Sequence, residues 1–431
     1  MSIIQDLIKS AVIPDCYPVI QNFPDDGIRD IPGAVTQALE QSGIAVAIPK
    51  GTVAIGVGSR GVANIPAITR ATVAWFRSKG ATPFIVPCMG SHGGATDEGQ
   101  VKVLAELGVT EDSAGCAIHS SMEAVQLGTL DNGLPVYMDE NAWNADGVFV
   151  INRIKAHTSF SGPNESGLVK MMTIGLGKQK GADAAHTYGN DAFKTIMPAM
   201  TRMVMERKPG ILGGLALIEN ERDHTCRVEC IPSASLVQRD AELLLYAKTR
   251  MPSLPLDQVD LLIIDRIGKN ISGSGMDTNV TGRHASSAKS GGPDISRLVV
   301  LRLTPETKGN ATGVGMADII PRSLADAINP EYTYANVITS TNLAFVRLPM
   351  ILETEEIVIR CGIKTCLGNP KAPRIAYIRD TLSVDKLLVS KALAEDLQNH
   401  DRCAVSASPV QLRFCEKGCL DQTIWTSAFN Y

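Results

Sequence analysis

The stretch Val53-Ala54-Ile55-Gly56-Val57-Gly58-Ser59-Arg60-Gly61 decides how this chain is read. Residues 53–57 are apolar or small and predict a strand, and the glycines at 58 and 61 predict a tight turn after it. Ile65, Ile68, Thr72, Trp75 and Phe76 then recur at helical spacing, with Asn64 placed to cap that helix and Gly80 to end it. Residues 82–87 predict a second strand, which runs into Cys88-Met89-Gly90-Ser91-His92-Gly93-Gly94-Ala95-Thr96. Thr96 predicts the cap of a helix over 97–107, with Asp97 and Glu98 favourable to its dipole and Gly108 as its stop. Residues 147–151 predict a further strand, followed by a loop through His157. Strands alternating with helices in this way predict an α/β fold with mainly parallel sheets.

Further along, Met251-Pro252-Ser253-Leu254-Pro255 marks a domain boundary. After it, residues 259–265 predict a fresh buried strand that leads into a second glycine-rich loop, 266–277. The expected organisation is therefore two α/β domains, a cofactor-binding and catalytic one over 1–255 and a C-terminal one over 256–431, with the active site in the cleft between them. In open parallel sheets, ligands bind beyond the carboxyl ends of the strands. Arg60, His92 and His157 all follow such ends, so distant parts of the chain are expected to meet on one rim.

Composition narrows the class. The 431 residues are 44% hydrophobic, enough for a sizeable core, and carry a net charge of −4. Such a balance offers no field for nucleic acid or anionic lipid, and neither is expected as a partner. No apolar run approaches the ~18 residues that a spanning helix requires. The N-terminus lacks the basic and apolar stretches of a secretory signal, so a cytoplasmic location is expected. The ten cysteines form no CxxC pair, the closest spacings being Cys226/Cys230, Cys361/Cys366 and Cys415/Cys419, and they read as reduced, mostly buried thiols.

Residues 56–61 fit GxGxxG after a strand, so a dinucleotide site has to be weighed. That motif needs an acid at the end of the next strand, where this chain has Cys88-Met89-Gly90, and Arg60 inside the turn would crowd a pyrophosphate. The loop around His92 is more informative. Three glycines let the backbone approach a ligand and leave an imidazole that exchanges protons near neutral pH. A longer constellation follows: Asn152-Arg153-Ile154-Lys155-Ala156-His157-Thr158, then Glu165-Ser166-Gly167-Leu168-Val169-Lys170-Met171-Met172, then Gly175-Leu176-Gly177-Lys178-Gln179-Lys180-Gly181, ending at His186. No two of its histidines have the spacing of a zinc helix, so they would have to converge by folding. Lys170 sits among apolar neighbours. It is either a desolvated, nucleophilic amine able to bond a carbonyl or thiocarbonyl carbon, or a snorkelling surface lysine. Lys178 and Lys180, between glycines, are placed to hold a phosphate, although the P-loop spacing is missing. His119, His224 and His400 read as structural or surface residues, and His284 stays open.

Taken together, these stretches resemble the nickel-dependent lactate racemase family and its homologues that act on 2-hydroxy acids. The resemblance covers most of residues 50–190 and the loop at 268–277, and it rests on order and spacing. An arginine (Arg60), a histidine 32 positions on (His92), another 65 further (His157), then a lysine (Lys170) and a histidine (His186) 13 and 29 beyond it follow the family's pattern. The resemblance implies a nickel-pincer nucleotide, a nickel pyridinium-3,5-bisthiocarboxylic acid mononucleotide whose two thiocarbonyl sulfurs and ring carbon hold the metal. It implies Lys170 as tether or ion-pair partner of that cofactor, His186 as protein ligand to Ni, and Lys178 as a further cofactor contact. His92 and His157 would be acid/bases on opposite faces of the substrate, and Arg60 and Lys269 would clamp its carboxylate. The implied activity is that of an isomerase, a racemase or epimerase inverting C2 of a 2-hydroxy acid by hydride transfer to and from the cofactor, with cofactor-biosynthesis proteins as partners. Val57, Gly58 and Ser59 stand where the family's lactate enzyme carries an aspartate. The acid is therefore open among lactate, larger aliphatic acids and sugar acids. The alternatives are an NAD(P)-dependent 2-hydroxy-acid dehydrogenase using residues 56–61, and a nickel or cofactor carrier without turnover.

Overall fold

The computed structural model of the chain describes residues 3–59, 61–367 and 372–429. The chain divides into two compact units, one of residues 24–251 and one of residues 1–23 together with 252–431. Both are α/β, with mixed and mostly parallel sheets.

Strand β1 (Tyr17–Gln21) comes first in sequence but belongs to the second unit. The first unit contains β2 (Thr52–Val57), β3 (Thr82–Pro87), β4 (Ala124–Thr129), β5 (Pro135–Asp139), β6 (Gly147–Arg153), β7 (Ile211–Glu219) and β8 (Thr225–Pro232). Five of them form a sheet in the order β3-β2-β6-β7-β8, with β8 alone antiparallel, while β4 and β5 make a separate hairpin. Val53 to Val57 are all buried because helices cover both faces of the sheet, so alternation is lost. The helix Ile65–Ser78 presses Ile68, Val73 and Phe76 onto one face, where the rings of Phe76 and Phe149 meet edge to face at 5.2 Å. Asn64 occupies the expected cap position in a left-handed conformation, but its side chain makes no cap bond. Thr96 does cap its helix, Asp97–Glu106, accepting from the Gly99 N–H.

The second unit adds β9 (Gln258–Ile267), β10 (Asp294–Leu303), β11 (Ile319–Pro321), β12 (Met350–Leu352), β13 (Ile375–Ile378), β14 (Lys386–Val389) and β15 (Cys403–Val405). These join β1 in an eight-stranded sheet, in the order β12-β11-β10-β9-β13-β14-β1-β15. Period-two alternation splits its apolar residues between two cores. Leu262, Ile264 and Val300 face one, Leu261, Ile263, Val299 and Leu301 the other. The expected division at residue 255 is thus corrected at the N-terminus. Residues 1–23 pack with the C-terminal unit, because β1 is the strand that links β14 to β15, and both pairings are antiparallel. Sequence-local patterning carries no information on so distant a partner.

No helix among the described residues is long and apolar enough to cross a membrane. All ten cysteines are free thiols, five of them buried. Val19 is fully buried between Leu387 and Val405 in neighbouring strands. Val19→Ala is expected to cost about 2 kcal/mol of stability, read as a lowered denaturant midpoint for the second unit. A midpoint unchanged from the parent would mean that the N-terminal strand adds nothing to that sheet.

Candidate active site

Because β2, β3, β6 and β7 run parallel, their carboxyl ends share one edge. The chain leaves β2 for β3 on one side and later returns to β6 on the other, so the order reverses between β2 and β6. The carboxyl end of such a reversal is where open α/β sheets leave a crevice. Gly58 and Ser59 follow β2 on this edge, the His92 loop follows β3, and the His157 loop follows β6. Arg60 lies outside the described residues.

The His92 loop turns on Gly90, Gly93 and Gly94, all with φ between 60° and 69°. A Cβ at Gly93 would stand 2.6 Å from the Gly99 backbone, so the close approach needs glycine. Gln100, wholly buried beneath the loop, donates to the Gly90 carbonyl (2.9 Å) and the His92 carbonyl (3.3 Å). The His92 ring is exposed, and its Nδ1 is hydrogen-bonded to the Ser59 hydroxyl, which ties the loop after β3 to the loop after β2.

Glu165 organises the His157 loop. Its buried carboxylate accepts from the His157 N–H (2.7 Å), the Gly162 N–H (3.2 Å) and the Lys248 ammonium (2.7 Å). The Ser159 N–H donates to His157 Nδ1 at 3.1 Å. The imidazole stacks on Phe160 at 4.3 Å, Phe160 stacks on Phe193 at 5.2 Å, and Phe193 meets the His186 ring at 5.1 Å. Two buried phenylalanines therefore connect two histidines that are 29 residues apart in sequence.

Lys170 ends a short helical turn, Leu168–Lys170, that continues as the π-helical turn Met171–Gly175. Buried Asp240 accepts from the Leu168 N–H (2.7 Å) and from Asn164 (2.8 Å), anchoring the start of this segment. Burial pushes the Asp240 carboxyl up, against the pull of those donors. Asn152, on β6, donates to the Gly167 carbonyl at 3.0 Å, and the Cys88 thiol donates to the Met171 carbonyl at 3.2 Å. The segment thus lies across the ends of β3 and β6, with the Met171 side chain beside Gly58. Lys170 is half-buried. His186, in the last turn of the helix Lys178–His186, is held below the ordinary imidazole range, first by burial and then by the Lys170 ammonium, with Asp183 opposing. Its ring is neutral at neutral pH, the state in which imidazole ligates metals.

Lys178, the expected further cofactor contact, lies inside the fold. Its side chain has 0% exposure, and its ammonium donates to the Pro87 carbonyl (2.7 Å) and to Gln100 (2.9 Å) and pairs with buried Asp139 at 3.1 Å. Its backbone is left-handed, which turns the side chain inward under the His92 loop. Lys269 lies in the second unit, where its ammonium donates to the Gly273 carbonyl at 2.6 Å. On the first unit's edge, then, stand His92, His157, Lys170 and His186. The supporting residues Ser59, Phe160, Glu165, Phe193 and Asp240 were not singled out by the sequence. Ser59 and Glu165 fell inside quoted motifs, but neither phenylalanine had any local signal.

No protein-family model matches this chain, and no curated protein matches it either. Among solved structures, it is similar to the lactate racemase apoprotein from Thermoanaerobacterium thermosaccharolyticum, with 15% identity and a TM-score of 0.51 over 85% of this chain and 99% of that one. A protein from Thermotoga maritima follows at 12% identity and a TM-score of 0.47, over 83% of this chain and 89% of that one. The first of these shows that the chain has a lactate-racemase-like fold. Among the described residues, no group of three or more His, Cys, Asp or Glu is placed to hold a metal ion.

Removing the Lys178 charge strands a buried carboxylate. Lys178→Met is expected to destabilise the first unit by about 3–5 kcal/mol, with much of the loss recovered in Lys178→Met/Asp139→Leu. Denaturant unfolding of both variants checks this. A Lys178→Met variant as stable as the parent would restore the side chain to a ligand-binding role.

Proposed function

We propose that the protein is an isomerase that racemises or epimerises a 2-hydroxy acid with a nickel-pincer nucleotide held by Lys170 and His186. The observation that carries this reading is the convergence, at one sheet edge, of a neutral half-buried imidazole, a neighbouring half-buried lysine and a second histidine joined through Phe160 and Phe193. A pincer nucleotide brings most of the nickel donors itself, so the protein needs to add one ligand and a tether. A single neutral imidazole beside a lysine is a donor set of that kind, and imidazole is a donor that suits nickel. When bound, the nucleotide supplies the acceptor and donor of the C2 hydride.

This chain's own residues would bind, orient and move protons. Inversion at C2 needs a proton carrier on each side of the substrate, the part given to His92 and His157. Nδ1 of each ring is engaged, by the Ser59 hydroxyl and by the Ser159 N–H, so Nε2 is the nitrogen left for a substrate hydroxyl, and for His157 to accept a proton there it would have to release the Ser159 contact. The phenylalanines beside His157 would keep water from the reacting centre. The resemblance assigns Arg60 to the substrate carboxylate, where a guanidinium can bind both oxygens.

The test is nickel content and intact mass of protein co-expressed with a pincer-cofactor biosynthesis system, followed by chiral chromatography of a hydroxy-acid panel. The expected result is near-stoichiometric nickel and inversion at C2. His186→Ala should release the metal, and Lys170→Ala should remove any added mass. His157→Ala should keep nickel but lower turnover by about 10² to 10⁴. Ser59→Ala should cost roughly tenfold in kcat with nickel retained. Absence of both nickel and added mass, in a host that loads a known racemase, would overturn the proposal in favour of the dehydrogenase.

A further inference from the structure

The exposed thiols of the chain sit together, in a part of the second unit that the proposed chemistry does not use. Cys415 and Cys419 flank the turn Glu416-Lys417-Gly418, in which Gly418 takes a φ of 70°. The two arms pair antiparallel. Phe414 and Leu420 are bridge partners, the Cys415 N–H donates to the Cys419 carbonyl (2.9 Å), and the Asp421 N–H donates to the Arg413 carbonyl (2.8 Å). Cys415 and Cys419 thus stand directly opposite, where antiparallel geometry sets Cα atoms about 4.5–5.5 Å apart, inside the span a disulfide needs. The two thiols are close enough for each to act on the other's ionisation. The turn is also anchored. Its Gly418 carbonyl accepts from the Glu356 N–H (3.1 Å), and the Leu420 N–H donates to buried Glu355 (2.6 Å).

We propose that Cys415 and Cys419 are a redox-responsive modification site, which closes to an intrachain disulfide by exchange with a low-molecular-weight disulfide. The Cys415 thiolate attacks one sulfur of the incoming disulfide and expels the other as a thiol. Cys419 then loses its proton and attacks the Cys415 sulfur, releasing the second thiol. One disulfide is reduced to two thiols as two protein thiols are oxidised, and two protons move from the protein thiols to the leaving thiolates. Cys415 is the attacking group because backbone N–H groups of Cys419 and Lys417 point at its sulfur and lower its pKa, whereas the other nine cysteines are all shifted upward, chiefly by burial. Cys419 takes the complementary role of resolving thiol.

The full chain, equilibrated with oxidised and reduced glutathione at graded ratios, alkylated with N-ethylmaleimide and digested with trypsin, tests this. Cleavage after Arg413 and Lys417 separates the two cysteines unless they are bonded. The expected result is a linked peptide pair that appears under oxidising ratios and is released by excess reduced glutathione. Below saturation, Cys415 should be alkylated about tenfold faster than Cys419 at neutral pH. Full alkylation of both thiols at the most oxidising ratio would overturn the proposal, as would a separate glutathione adduct on each. Cys415→Ser should leave Cys419 slow to form any adduct. A Cys419 adduct in that variant, formed as fast as the linked pair forms in the parent, would remove Cys415 as the attacking group.

Discussion

The first unit depends on β2 holding a parallel neighbour on each side. Ile55 pairs with Ile85 of β3 and with Phe149 of β6, so three carboxyl ends are forced onto a single edge. None of the loops beyond them needs to choose its location. Ser59, the His92 loop and the His157 loop are delivered there by hydrogen-bond register alone. A one-residue slip of β2 would turn Ile55 and Val57 to the opposite face and move every loop with them. Register is therefore a condition on the site as much as on the core.

What the sheet delivers, the segment after Gly167 has to organise. That segment crosses the strand ends with Leu168, Val169 and Met172 buried beneath it, and a buried carboxylate holds its first turn. An ionised Asp240 without partners would be costly, several kcal/mol in a real protein interior. Asn164 and the Leu168 N–H offset that cost, and in doing so they fix where the helical turn starts. The π-helical turn that follows lets Met171 reach Gly58 while Lys170 stays half-buried near His186. π-helical turns are poor choices for stability and occur disproportionately at functional sites. Two devices that cost stability, a buried acid and a π turn, bracket the same lysine.

Much of this was legible in the sequence. The strand at 53–57, the glycine turn, the Thr96 cap and the placement of His92 and His157 beyond strand ends follow from local periodicity and turn chemistry, which act over a few residues. The failures share one physical cause, distance along the chain. The pairing of β1 with β14 and β15 joins residues that are hundreds of positions apart. Lys178 reads as a phosphate ligand among its glycines, and only the fold brings Asp139, Gln100 and the Pro87 carbonyl around its ammonium. The Phe160–Phe193 stack is likewise a product of packing, and no spacing rule would pair those rings.

The two histidines on the edge are not equivalent, and the difference lies in what holds them. His157 is stacked on a buried ring, its backbone is tied to a buried glutamate, and its Nδ1 accepts from a main-chain N–H that can only donate. Protonating that nitrogen would cost the hydrogen bond. His92 is exposed on a glycine loop, and its partner, the Ser59 hydroxyl, can donate or accept. A hydroxyl partner lets the imidazole change tautomer or charge without losing its contact, whereas a backbone partner does not. A neutral His157 that keeps this contact carries its proton on Nε2 and presents it as a donor, whereas His92 can present Nε2 as donor or acceptor.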